Sequence, residues 1–97
     1  DIDDLGVSLA PLSQEDKSRL SIPYGLVVKA IRNGKMQKAG VSKGTIILAV
    51  NETRMETEEN WEQAIKAANQ SSDRTLWIKA IAPSGRKQSF VIDLNEN

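Results

Sequence analysis

The sequence predicts a single α+β domain: a partly open β-barrel or sandwich of five to six short strands, capped by two helices. Three observations lead there. Short apolar runs, alternating or rich in β-branched residues, recur along the chain, and each is stopped by glycine, proline or asparagine. Thr57 to Asn69 instead carries its apolar residues at helical spacing. Finally, 97 residues with 39% hydrophobic content fill one modest core and no more. A compact barrel with helices over its open ends is the arrangement that buries both kinds of apolar face.

The elements follow in order. Leu5, Val7 and Leu9 share one face of a strand ending at Pro11. Ser13 can cap a short helix whose first turn holds Glu15 and Asp16, and which finishes by Leu20 before the Pro23-Tyr24-Gly25 turn. Leu26 to Ile31 is a second strand, closed by Asn33-Gly34. A short helix near Met36 to Ala39 stops at Gly40, where a left-handed cap favours a residue without Cβ. Gly44 then makes the bend into Ile46 to Val50, a run too short for a membrane span and too β-branched for a good helix. It reads as the buried central strand, with Asn51 to Arg54 as a polar turn and Met55 in a short extended piece. Thr57 caps the long helix, whose Trp61, Ala64, Ile65 and Ala68 form one apolar stripe. Thr75 to Ala82 and Gln88 to Leu94 make a hairpin around Pro83-Ser84-Gly85, with Phe90, Ile92 and Leu94 on one face. Trp77 falls on the face opposite Leu76 and Ile78, either covering the barrel's second side or serving as a docking patch.

Composition removes whole classes of function. Thirteen basic and thirteen acidic residues leave no net charge, so no field draws nucleic acid or anionic lipid. Aromatic residues make up 4%, too few for base-stacking platforms. With no histidine and no cysteine, Ser-His and Cys-His nucleophile pairs, zinc clusters and disulfides all drop out, and no cofactor is expected. The acidic clusters, Asp1 to Asp4 and Glu56 to Glu62, lie at the chain's start and at a helix start, with no partner that would tune a general acid. A non-catalytic domain is expected. The start at Asp1-Ile2-Asp3-Asp4 reads as a domain cut from a larger chain, spanning 1–97 with its core at 4–94.

The stretch Ala39 to Asn51 reads A-G-V-x-x-G-x-I-I-x-x-V-N. It resembles the signature of PDZ domains, particularly those of bacterial HtrA/Deg-type envelope serine proteases, although these usually continue Gly-Asp where this chain has Gly44-Thr45. The order of elements is also similar to the circularly arranged PDZ domains of that family, with the peptide-binding strand first and the closing strand last. The resemblance covers Asp4 to Leu94.

What the resemblance implies is a receptor for chain ends. Leu5, Gly6 and Val7 would donate backbone amides to a peptide's terminal carboxylate, with a glycine where the anion approaches the backbone closely. The edge formed by Val7, Ser8 and Leu9 would pair with the incoming peptide strand. Asp4, at a position often acidic in the HtrA-type loop, would point away from the carboxylate. Ile65 would meet the peptide's last side chain, or else be a plain core residue. Glu62 and Glu58 would run along the groove rim, or else be solvated helix charge, while Trp61 and Ala64 would face the core. The implied partners are hydrophobic C-termini of unfolded protein substrates and a protease domain in cis, in the periplasm or envelope of a bacterium, with homo-oligomers through the parent protein. A structural, oligomer-building role is the alternative, since Ile2 stands where some members of the family carry a basic residue.

Overall fold

The computed structural model describes residues 5–95. Its elements are β1 (Val7–Pro11), α1 (Gln14–Leu20), β2 (Leu26–Ile31), α2 (Lys35–Lys38), β3 (Ile46–Val50), β4 (Thr53–Arg54), α3 (Glu58–Gln70), β5 (Thr75–Ile81) and β6 (Lys87–Asp93). The strands form one antiparallel sheet in the order β1-β2-β3-β5-β6, with β4 attached to β3. This is the expected α+β architecture, open between β1 and β6. Among the described residues three helices accompany the sheet; α1, between the first two strands, buries no residue and adds no core.

Local chemistry sets the helix ends. The Ser13 hydroxyl accepts from the Asp16 N–H at 3.1 Å, capping α1. Arg19 donates to the Asp16 carboxylate at 2.9 Å and holds that exposed acid below its ordinary pKa. At the end of α2, Gly40 lies at φ +99°, its N–H donating to Gln37 C=O and the Val41 N–H to Met36 C=O. Those two bonds make a Schellman motif, with Met36 and Val41 buried as its apolar clasp. Thr57 and Asn60 form a capping box on α3: the Thr57 hydroxyl accepts from Asn60 N–H at 3.2 Å, and Asn60 Oδ1 accepts from Thr57 N–H at 2.9 Å.

The core sits between the sheet and α3. Trp61, Ala64, Ile65 and Ala68 are buried against Val28, Ile47, Val50, Leu76 and Ile78. Each large side chain in that stripe contributes about 1.5–3 kcal/mol by leaving water. Met55 is fully buried just beyond β4, and its N–H donates to Leu48 C=O of β3 at 2.9 Å, so the core and the strand ladder together set its place.

The β3–β4 hairpin holds a finding the sequence did not announce. Its two-residue loop, Asn51-Glu52, has φ of +48° and +71°, a type I′ turn built without glycine. Asn51 repays its conformation: its side chain accepts from Trp77 N–H at 2.8 Å and donates to Thr75 C=O at 3.1 Å. Glu52 is exposed, and no described side-chain hydrogen bond holds it. A left-handed non-glycine residue costs about 1–2 kcal/mol, against about 0.4–1 kcal/mol of extra unfolded-state entropy for glycine. Glu52→Gly is therefore expected to stabilise the domain by about 0.5–1 kcal/mol in urea denaturation; a loss of stability would refute the strain.

Candidate functional site: a groove between an open strand edge and a helix

Among the described residues, the first strand pairs with β2 alone and leaves its other edge open. Arg32 N–H donates to Gly6 C=O at 2.9 Å, and Leu12 N–H donates to Gly25 C=O at 3.1 Å. These bonds set the phase of the ladder at both ends. Ser8 exchanges bonds with Ala30, and Ala10 with Val27, while Val7, Leu9 and Pro11 occupy the alternate pairs. A bulge that leaves Lys29 as the extra residue of β2 preserves this alternation. The N–H and C=O groups of Val7 and Leu9 therefore point away from β2, out of the sheet. Pro11, the third outward position, has no N–H to offer, so the open edge ends after two rungs.

Helix α3 lies beside that edge. Val7, Ser8 and Leu9 on one side and Glu58, Trp61 and Glu62 on the other enclose a groove of about 240 Å³. The three helix residues lie within one turn of each other and share one face. Val7 and Leu9 are half-buried, whereas Ser8, Glu58 and Glu62 are exposed. The floor is thus apolar and the helix rim acidic.

At the groove's mouth, Gly6 sits at φ +70°. A Cβ there would stand 2.8 Å from Arg32 O and 3.0 Å from Asn33 O, both backbone atoms that cannot swing aside. Only glycine permits the loop to press so closely on the end of β2. Leu5 is fully buried and anchors the loop in the core. At this end of the groove the Val7 N–H faces outward, away from β2.

The expected site residues are distributed unevenly. Gly6, Val7, Ser8, Leu9, Glu58 and Glu62 stand at the groove or its mouth. Ile65 is completely buried and is not among the residues lining that groove, which agrees with the plain-core alternative, whereas Trp61 one turn earlier does line it. Trp61, expected to face the core, does so at 4% exposure and also walls the groove, because its ring spans both. Leu5 serves as core anchor, with no side chain exposed to line a pocket. Asp4 and Ile2 lie outside the described residues. The residue missed, Trp61, could have been found from the Glu58-Trp61-Glu62 spacing, which marks one helix face.

An antiparallel sheet open at a glycine-led first strand, with an amphipathic helix laid along that edge, defines the PDZ fold. No family model matches the sequence, and no curated protein sequence matches it. Among solved structures the chain is similar to the PDZ domain of EpsC from Vibrio cholerae, residues 219–305, with a TM-score of 0.65 over 97% of this chain and 99% of that one. Sequence identity is 14%, so the likeness is one of fold.

Proposed function

We propose that this domain is a peptide-binding module that takes exposed hydrophobic C-termini by adding them as a strand to β1. The observation that carries this reading is the pair of outward-facing rungs at Val7 and Leu9, bordered by the α3 groove. The terminal carboxylate is received by the amides of Leu5, Gly6 and Val7, and the last side chain rests against Val7, Leu9 and Trp61. The chemistry of any parent enzyme lies elsewhere. That the parent is an HtrA/Deg-type serine protease of a bacterial envelope, fed or regulated by this module, is supported by the resemblance at Ala39 to Asn51.

Magnitudes define the binder. Net backbone hydrogen bonds at about 0.5–1.5 kcal/mol each and a charge-assisted contact of about 1.5–3 kcal/mol are available. A buried apolar anchor adds about 1.5–3 kcal/mol, and lost freedom takes back several. The balance is micromolar affinity, about −8 kcal/mol at best. Two rungs accommodate only about four peptide residues.

Titration of C-terminal peptides into the domain tests this. Affinity is expected to level off beyond about four residues, and amidation of the terminus is expected to abolish binding. Equal affinity for acid and amide would refute the carboxylate role. Glu58 and Glu62 set a finer preference: Glu62→Lys should weaken peptides bearing upstream Lys or Arg by about 0.2–1 kcal/mol, an effect that fades in high salt. A salt-independent loss would assign Glu62 a different part.

A further inference from the structure

Strand β6 is the sheet's other edge, and among the described residues it pairs with β5 alone. Ala82 N–H donates to Arg86 C=O and Leu94 N–H to Arg74 C=O, both at 2.8 Å. Those bonds bracket a seven-residue register without a bulge, and they make Ile81↔Lys87, Lys79↔Ser89, Trp77↔Val91 and Thr75↔Asp93 the non-hydrogen-bonded pairs. Lys87, Ser89, Val91 and Asp93 thus direct their N–H and C=O groups outward. Unlike the β1 edge, this one contains no proline and twice as many open rungs. Proteins blunt such edges, commonly with charge. Here the two charges have opposite sign and stand at opposite ends of the strand.

We propose that a second copy of this chain covers the edge, β6 against β6, antiparallel about a two-fold axis through Phe90. An isologous contact pairs each strand with itself reversed. With the axis at Phe90, Lys87 lies opposite Asp93 of the partner subunit, and Ser89 lies opposite Val91 of the partner subunit. Every outward rung then meets an outward rung, so each pair exchanges both main-chain bonds. Moving the axis to Ser89 sets Lys87 against valine, and moving it to Val91 sets Asp93 against serine; either shift separates the charges. Parallel pairing would bring like charges together. The strand's charge pattern is complementary to its own reverse, and only to that register.

The apolar surface agrees. Trp77 and Val91, at 60% and 54% exposure, are the large hydrophobic residues left in water among those described. They are cross-strand neighbours on the outer face, beside a shallow cleft of about 720 Å³. Pairing through Phe90 makes Val91 a diagonal neighbour of Val91 of the partner subunit. It also sets the two Trp77–Val91 patches on one continuous face across the seam. The β1 groove is untouched, so this inference stands apart from peptide binding.

The seam is one strand wide, so association is reversible. In sedimentation equilibrium the mass is expected to rise from 10.7 kDa toward twice that value as concentration passes from about 10 µM to about 1 mM. Lys87→Glu and Asp93→Lys each put like charges at both ends of the seam and should weaken the dimer about tenfold. The double variant should restore it. Ser89→Pro removes an outward N–H while leaving the β5–β6 ladder its bonds, and should also give a monomer; circular dichroism verifies that each variant is folded. A monomer at about 1 mM would overturn the proposal. So would a dimer indifferent to both single charge variants, or one dispersed by a C-terminal peptide, which would locate the contact at β1.

Discussion

Replacing Trp61 with alanine is expected to lower the stability of this domain by about 3–5 kcal/mol. The indole is 4% exposed and belongs both to the core beneath α3 and to the groove wall. A domain of this size holds only about 5–15 kcal/mol in total, so the variant should unfold at markedly lower urea with an unchanged slope. Two milder variants separate the residue's roles. Trp61→Phe keeps most of the buried area and should reduce peptide affinity more than stability. Ile65→Val, at a position sealed from the groove, should cost about 0.5–1.5 kcal/mol and leave affinity alone. If Ile65→Val weakened binding as much as Trp61→Phe, the helix face would be misassigned.

Gly6→Ala should be the second large effect, about 2–5 kcal/mol of stability together with loss of peptide binding. A left-handed backbone costs an L-residue about 1–2 kcal/mol, and forced overpacking adds about 1–3 kcal/mol. Here the added methyl would meet two main-chain oxygens at 2.8 and 3.0 Å. Gly85 supplies the control. It too has positive φ, at +93°, but a Cβ there meets nothing within 4 Å. Gly85→Ala should therefore show the conformational cost alone, about 1–2 kcal/mol, with binding intact. Equal effects at the two glycines would remove the argument that close approach, and not φ, makes Gly6 necessary.

The periodic elements were legible because their signals are local. The stripe Trp61-Ala64-Ile65-Ala68, the caps at Ser13 and Thr57 and the glycine after α2 each depend on neighbours within a few residues. Less legible was the stretch after β3, where a polar turn concealed a two-residue hairpin loop with two left-handed residues. Asn51 adopts that conformation because Thr75 and Trp77, more than twenty residues away, hold its side chain. The groove was legible in part. The resemblance named its strand residues, but which helix side chain faced them depended on how α3 packs against the sheet. Ile65 and Trp61 are one turn apart, and periodicity alone puts both on the buried side.

What the sequence determined by itself was the set of elements, their order, the glycine at the head of the first strand and the lack of any histidine or cysteine side chain. These follow from side-chain type, spacing and backbone preference, which act over a turn or a strand. The tertiary structure alone decided which backbone groups stay unpaired. The outward phase of Val7 and Leu9 on one edge, and of Lys87 to Asp93 on the other, arises from register between strands distant in the chain. Hydrogen-bond phase alternates with every residue, so a shift of one position would have turned those donors inward.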